Sequence, residues 1–376
     1  MQGRTEEQRM LVDSLEELAE NEFAERAFDW EGEIPLENVD VLADRGFFGI
    51  NISEEYGGGG MTEFESILAI EAIGRICPDT AHYYSQQELL GPRALEMFGT
   101  ETAKEEYLPP VTAGEDGIAI AISEPEAGSD VKAMNTTVED NGDGTLVVDG
   151  EKTWVSLFPE CSTAVTWVKY PEGLGTILLP LDAPGIEVQN HYVNMVGHTQ
   201  THFVIDEVTV PETNVLTRGR EAFDEQLKAL NWERLSVGAL SNGIALCALD
   251  KALDYADQRS QFGRDIGEFQ GIQWKLADMA TKIETSRALV YESGRQALEA
   301  GRVPDPMRSS IVKLYSPNVA QEVIDESLQI HGGNGYQQGH PLEYLYRLVR
   351  GYRIGGGTDE IQRNTIAKLL QEGGGL

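Results

Sequence analysis

Apolar residues recur at intervals of three and four near the start of the chain, at Leu11, Leu15 and Leu18 and again at Leu36, Val39 and Leu42. That spacing predicts amphipathic helices through about residue 112. Glu54-Glu55-Tyr56-Gly57-Gly58-Gly59-Gly60 breaks the pattern. Successive glycines cost a helix interior too much backbone freedom, so a loop is expected there. A further helical run covers residues 64–76 and stops at Cys77-Pro78. Between residues 113 and 218 the period changes. Short β-rich runs at 118–122, 146–148, 163–168, 176–179 and 202–210 alternate with turn chemistry at Asn141-Gly142-Asp143-Gly144, Pro171-Glu172-Gly173 and Ala183-Pro184-Gly185. Asp206-Glu207-Val208-Thr209-Val210-Pro211 alternates polar and apolar, and its proline ends the strand. From residue 219 the helical period returns, with Leu227, Leu230, Val237, Leu240 and Ile244 marking one face of a long amphipathic helix. Helices are also expected over 272–298, 307–330 and 360–370, the last preceded by Gly355-Gly356-Gly357. No internal repeat or low-complexity linker interrupts this order of helices, strands, helices.

Composition narrows the picture. With 376 residues, 41% of them apolar, the chain has material for two or three compact units and little tendency to disorder. It contains no uninterrupted apolar stretch of about 18 residues, so no membrane span is expected. Met1 to Glu7 lacks the apolar core of a secretory signal. Cys77, Cys161 and Cys247 are scattered and odd in number, which suits small buried hydrophobes in a reducing cytoplasm rather than a metal site or disulfide framework. The six histidines show no ligand spacing, so no metal is assigned. Acidic residues number 63 against 29 basic ones, a net charge of -34. Such a surface repels nucleic acid and anionic membranes. It also repels itself at low salt, a cost that molar salt removes by shrinking the Debye length to about 3 Å. Two sources fit: a salt-accumulating cytoplasm, or a mesophilic protein that is simply acidic.

Five motifs carry candidate chemistry: Ala121-Ile122-Ser123-Glu124-Pro125-Glu126-Ala127-Gly128-Ser129-Asp130 after a predicted strand, Gly150-Glu151-Lys152-Thr153-Trp154-Val155-Ser156, Arg259-Ser260-Gln261-Phe262-Gly263 with Ile266 and Phe269-Gln270 behind it, Gln329-Ile330-His331-Gly332-Gly333-Asn334-Gly335-Tyr336, and Gly357-Thr358-Asp359-Glu360-Ile361-Gln362-Arg363. In this order and spacing they resemble the acyl-CoA dehydrogenase family, over most of the chain. The ordered set carries the resemblance, since each motif alone is weak. The resemblance implies an α+β fold: an N-terminal helical domain (1–112), a middle antiparallel, β-barrel-like domain (113–218) and a C-terminal four-helix-bundle domain (219–376). It implies bound FAD. The Ile122 backbone, Ser123 and Ser156 would contact the flavin ring, with Trp154 beside it. Ser129, Arg259 and Gln261 would reach the diphosphate. Phe262, Gln270, Gln329 and the Gly332-Gly333 backbone would hold the adenosine end, and Thr358 and Glu360 would open a final helix whose free N–H groups favour electron-rich atoms. The family shares these sites between subunits, which implies a homotetramer or a dimer.

Acyl-CoA dehydrogenation removes a weakly acidic Cα proton and a Cβ hydride, so a desolvated carboxylate is needed. Many family members place it just before the Gly-Thr of the last motif, where this chain has Gly356, which has no side chain. Isovaleryl-CoA and long-chain members place it on an earlier helix before an arginine, and Trp232-Glu233-Arg234 stands at that position. Glu233 lies three residues after Leu230 and four before Val237, on the apolar stripe, where desolvation raises a carboxyl's pKa. Glu233 is therefore the expected base, with substrate contacts expected from Arg234, Gly356 and Gly357. The backbone N–H of Gly356 would still be able to polarise the thioester oxygen. The implied reaction yields a trans-2-enoyl-CoA and passes electrons to an electron-transfer flavoprotein. Two alternatives share the scaffold: a catalytically silent flavoprotein subunit, which Gly356 motivates, and a different flavin chemistry such as an oxidase or monooxygenase. The acyl chain is not readable, because one methylene is worth only about 1–3 kcal/mol of discrimination.

Overall fold

The structure is a computed structural model that describes residues 4–30 and 32–373, so Met1-Gln2-Gly3 of the leading segment lies outside the described residues. The chain opens with helices α1 (Glu6–Glu22), α2 (Leu36–Asp44), α3 (Glu63–Ile76), α4 (Pro78–Leu89), α5 (Gly91–Phe98) and α6 (Glu101–Thr112). Strands β1 (Ile118–Ala121), β2 (Thr137–Asp140), β3 (Thr145–Ser156), β4 (Thr163–Tyr170), β5 (Gly173–Pro180), β6 (Ile186–Val193), β7 (Thr199–Pro211) and β8 (Val215–Thr217) follow. Then come α7 (Ala222–Gln258), a short ribbon of β9 (Ser260–Gln261) and β10 (Arg264–Asp265), α8 (Gln270–Glu299), α9 (Pro306–His331), α10 (Pro341–Tyr352) and α11 (Asp359–Gln371). Among the described residues no helix is long and apolar enough to cross a membrane.

The fold is α+β, with helices before and after a central group of strands. By contacts the chain divides into two units, one of residues Met1–Glu31, Phe64–Tyr83 and Arg234–Leu376, the other of Gly32–Glu63 and Tyr84–Glu233. The early helices are thus divided between them: α1 and nearly all of α3 belong to the first, and α2, α5 and α6 to the second.

The second unit is built on an eight-stranded sheet in the order β6-β7-β3-β2-β4-β5-β8, with β1 added to β4. The expected antiparallel barrel is corrected here. β1 runs parallel to β4 from Ile118↔Thr163 to Ala121↔Thr166, and β2 meets β4 in parallel at Thr137↔Lys169. The sheet is mixed, and among the described residues no pairing joins its ends, β6 and β8. The predicted turns at 141–144 and 171–173 do make the hairpins β2–β3 and β4–β5. The link from β1 to β2 spans residues 122–136, too long for a hairpin, and it returns the chain parallel. Strand β4 is buried at every position except Lys169, whereas β6 is almost wholly exposed. Phe203, Ile205 and Val208 of β7, with Val165, Ile177 and Leu178, form the fully buried interior. Buried polar side chains tie the flanking helices in: Gln87 Oε1 accepts the Ile118 N–H at 2.9 Å, and Arg93 lies between Glu63 at 2.5 Å and Glu96 at 2.6 Å.

The first unit is a helical bundle. α1 begins with a reciprocal capping box between Thr5 and Gln8. Within the bundle α7 crosses α3 so closely that a Cβ on Gly243 would lie 2.6 Å from the Glu71 carbonyl oxygen. Ser286 of α8 has its Oγ 2.6 Å from Asn242 Oδ1 of α7 and 2.8 Å from Ser316 Oγ of α9, a buried polar seam joining three helices. Glu71 of α3 accepts from Arg287 of α8 at 2.8 Å and from the Tyr291 hydroxyl. Arg4 also donates to that hydroxyl, at 2.6 Å. α10 and α11 pack on α9.

The predicted single apolar face of α7 needs correction. Leu240 and Ile244 are buried, but Leu227, Leu230 and Val237 are only half-buried, and Trp232, Ser236, Ala239, Ser241 and Asn242 are buried as well. The middle of the helix, residues 231–245, is buried at every position but Val237, and a stretch enclosed on all sides has no single stripe to find.

Candidate active site

The two motifs expected at the flavin ring meet in the second unit. After a first register shift between Val148 and Gly150, strands β3 and β7 pair from Gly150↔Ile205 to Lys152↔Phe203 and resume at Val155↔Thr201, so one extra residue is accommodated in β3 between Lys152 and Val155. This bulge throws Trp154 into a left-handed conformation, φ 59°, and leaves it 53% exposed in a strand whose neighbours Thr153 and Val155 are buried. Such bulges re-aim side chains, and strained residues of this kind concentrate at functional sites. Trp154 packs on Tyr192 of β6 at 4.7 Å between ring centres. The N–H of Thr153 donates to the Ser123 carbonyl at 2.9 Å, which fastens the first motif to the second. Ser123 and Ser156 are half-buried, and neither hydroxyl has a hydrogen-bond partner among the described residues. Ile122 packs at the edge of a small core of Ala127, Met134 and Trp167. Ser129 is exposed. A planar aromatic group with a polar edge fits this arrangement: an accessible indole supplies a wall and the two hydroxyls supply the edge.

In the first unit two more motifs come together. Tyr255, near the end of α7, stacks on His331 at the end of α9, 4.2 Å between ring centres, and Asn334 Nδ2 donates to its hydroxyl at 2.8 Å. This brings the Arg259–Gln261 segment beside the Gln329–Gly333 segment. Arg259 is exposed and makes no ion pair among the described residues, so the pairing with Asp257 or Asp265 that its sequence neighbours offer is not made. Gln261 donates to the Ser260 carbonyl at 2.7 Å. Phe262 is 95% exposed at φ 54°, edge-on to Phe269. Gln270, Gln329, Gly332 and Gly333 are exposed.

Thr358 and Glu360 do not join this group. Thr358 is the N-cap of α11, its hydroxyl accepting the Ile361 N–H at 3.3 Å, and Glu360 is exposed, 3.7 Å from Arg363. The stretch from Tyr352 to Asp359 is held from α9 at Lys313, Asn318 and Gln321. Asn318 to Gln329 is roughly 16 Å of helix at ~1.5 Å per residue. Within one chain the residues assigned to the diphosphate and adenosine therefore lie apart from those of the last motif.

The triple-glycine segment is tightly built. Lys313, fully buried, donates to the carbonyls of Tyr352 at 2.5 Å and Gly357 at 3.3 Å. Gln362 donates to the carbonyls of Gly356 at 3.3 Å and Gly357 at 3.0 Å. Arg353 clasps Asp359 Oδ2 at 2.7 Å. Gly356 and Gly357 have φ of 65° and 96°. Their carbonyls are thus tied inward, while their N–H groups make no hydrogen bond among the described residues. Sequence reasoning did not find Lys313, because nothing in its neighbourhood marks a lysine whose partners are loop carbonyls 39 and 44 residues onward.

Glu233, the expected base, is 9% exposed on α7, and Arg234 is 6% exposed. Desolvation at this position, which the stripe argument required, is present although this part of the helix is buried on more than one face. Beyond the fourth motif, Tyr344 hydrogen-bonds Asp79, Arg347 pairs with Glu343 at 2.6 Å, and Pro341 stands at the first turn of α10. The three cysteines are buried thiols, and burial pushes Cys247 up to about 11.

Family models for the acyl-CoA dehydrogenase N-terminal, middle and C-terminal domains match residues 5–115, 119–208 and 223–371. The chain is 34% identical to the probable acyl-CoA dehydrogenase YngJ of Bacillus subtilis, covering 97% of this chain and 98% of the relative. It is 33% identical, over 97% of this chain and 98% of the relative, to the caffeyl-CoA reductase-Etf complex subunit CarC of Acetobacterium woodii. The solved butyryl-CoA dehydrogenase of Megasphaera elsdenii superposes with a TM-score of 0.92 at 29% identity, covering 98% of this chain and 99% of that one. With matches along nearly its whole length, and with the motif segments folded as described, the chain belongs to the acyl-CoA dehydrogenase family.

Proposed function

We propose that this chain is a FAD-dependent acyl-CoA dehydrogenase in which Glu233 exchanges the Cα proton of an acyl-CoA thioester, giving a trans-2-enoyl-CoA. The observation that carries this reading is a buried carboxylate on α7 in a chain whose last motif has glycine, Gly356, where many relatives keep their base. Members of the family bind FAD. Ile122, Ser123, Trp154 and Ser156 would hold its ring, Ser129, Arg259 and Gln261 its diphosphate, and Phe262, Gln270, Gln329, Gly332 and Gly333 its adenosine. When bound, FAD supplies the acceptor for the hydride that leaves Cβ. Glu233 takes the proton from Cα, and its shielding from water keeps it basic enough to do so. The N–H of Gly356, unengaged while its carbonyl is tied to Gln362, donates to the thioester oxygen as negative charge develops there. Gly357 and Arg234 line the substrate. The separation of Thr358 and Glu360 from the Arg259 group within one chain supports a cofactor site completed by a second copy, in a homotetramer or dimer.

An electron-transfer flavoprotein is the proposed redox partner, supported by similarity to a subunit of an Etf complex. The same similarity, to a caffeyl-CoA reductase subunit, favours a second reading in which the reaction runs from enoyl-CoA to acyl-CoA. Glu233 then delivers the proton to Cα. The test is an anaerobic titration of the protein, purified in molar KCl, with acyl-CoAs of graded length and branching. Loss of the oxidised flavin's visible absorption with one class identifies the dehydrogenase and its substrate. Recovery of that absorption when a photoreduced sample meets an enoyl-CoA, with no bleaching by any acyl-CoA, identifies the reductase. No response in either direction from a flavin-loaded sample defeats both readings in favour of a silent subunit.

A further inference from the structure

Two charged residues of the flavin motifs, neither assigned a role above, are buried against each other in the second unit. Lys152 is fully buried on β3 and Glu124 is 4% exposed in the segment after β1. Lys152 Nζ donates to Glu124 Oε1 at 2.9 Å and to the Ile122 carbonyl at 3.2 Å. The same Glu124 oxygen accepts the Thr136 N–H at 2.9 Å and its hydroxyl at 2.6 Å, while Oε2 accepts the Asn135 N–H at 2.6 Å. Burial raises the Glu124 pKa, but these donors and the lysine outweigh it and hold the carboxyl below its ordinary value. Burial pulls Lys152 down more than Glu124 restores it.

We propose that Lys152 and Glu124 are positioning residues that set the Ile122-Ser123 backbone against the bulge carrying Trp154 and Ser156, so that the flavin-ring site is built before any ligand arrives. The inference rests on the reading that these segments hold FAD. Consecutive carbonyls of the loop are claimed by consecutive residues of β3: Ile122 by the Lys152 ammonium and Ser123 by the Thr153 N–H. That leaves the Ser123 side chain and the exposed Trp154 face as the groups open to a ligand. The far end of the link to β2 is tied to the same carboxylate at Asn135 and Thr136. An ion pair kept only for stability gives no reason for these tethers, because a buried pair is commonly no more stabilising than apolar residues of similar volume.

The test uses the full-length protein, with FAD as the probe. Lys152→Met/Glu124→Gln removes both charges together, which avoids stranding one of them. It keeps an acceptor for Thr136 and deletes the tether to Ile122. The expected result is an apoprotein that melts near the wild-type apoprotein, binds FAD at least tenfold more weakly, and shifts the visible band of the flavin it retains. Unchanged FAD affinity and an unchanged flavin spectrum in that variant overturn the proposal. Should the variant not fold, hydrogen exchange in the wild-type apoprotein decides instead. The amides of Asn135, Thr136 and Thr153 should be protected without FAD, and protection that appears only after FAD is added overturns the proposal. A wild-type protein that binds no FAD at all counts against the proposed function rather than against this pair, whose hold on the loop the same exchange measurement still reads.

Discussion

A carboxylate can abstract a carbon-bound proton only where water does not solvate it, so the burial of Glu233, 9% exposed, matters more than its identity. Its place before Arg234 was legible from the sequence. The helical stripe led to the right burial through an incomplete picture, because the middle of α7, residues 231–245, is buried at every position but Val237 rather than along one face. Lys152, Glu124 and Lys313 were not legible as site-building residues, since their partners lie 11 to 44 residues away and only the fold brings them near. Tyr56, beside the tetraglycine loop, gives a residue-scale check on the electrostatics. Its hydroxyl donates to Glu101 Oε2 at 2.8 Å, and that hydrogen bond, with some burial, pushes its pKa up to about 12. An unfolded tyrosine ionises near pH ~10. The folded chain therefore keeps the full benefit of the neutral hydroxyl below pH ~10 and loses it as pH climbs toward about 12. In urea titrations the stability difference between wild type and Tyr56→Phe should shrink across that window; a constant difference would contradict the assignment.

At the scale of elements, strands with strong alternation or continuous apolar runs were legible, as in β4, β5 and β7. Strands β2, β6 and β8 were not. β2 and β8 are four and three residues long, and β6 is an edge strand whose exposed residues leave almost no hydrophobic pattern. β3 was expected at 146–148 and runs through Ser156, because its bulge and Gly150 interrupt the period of two. The interruption marks the site: the rule fails where Trp154 is turned outward. The triple glycine before α11 makes a comparable prediction. Gly357 holds φ 96°, and a Cβ there would lie 2.8 Å from Gln362 Nε2. Gly357→Ala should cost about 1–3 kcal/mol in urea unfolding, a typical cost for a residue forced into such a conformation. Gly351→Ala, within α10 and with open space around its Cβ, should instead stabilise by about 0.5–1 kcal/mol. Equal effects of the two would mean that the loop is not held as described.

For the whole molecule, the order of helices, strands and helices was readable from the change of period, and the mixed open sheet was not. Parallel pairing of β1 and β2 with β4 depends on where the long link from 122 to 136 carries the chain, and no local pattern encodes that. The net charge of -34 acts at this scale too. Its ion pairs are mostly near the surface and individually weak, so self-repulsion is relieved chiefly by dissolved salt. The melting temperature should rise steadily from low salt to molar KCl, and a flat or falling profile would remove the case for a salt-accumulating source. The account's central claim is that one buried carboxylate on α7 does the work left undone by the glycine at 356. The most direct measurement is anaerobic rapid mixing of flavin-loaded wild type and Glu233→Gln with the acyl-CoA that bleaches the wild type. The account predicts bleaching slowed roughly 10²- to 10⁴-fold in the variant, with flavin content and substrate binding retained. A variant that bleaches at the wild-type rate would contradict it and leave Glu233 as a structural carboxylate.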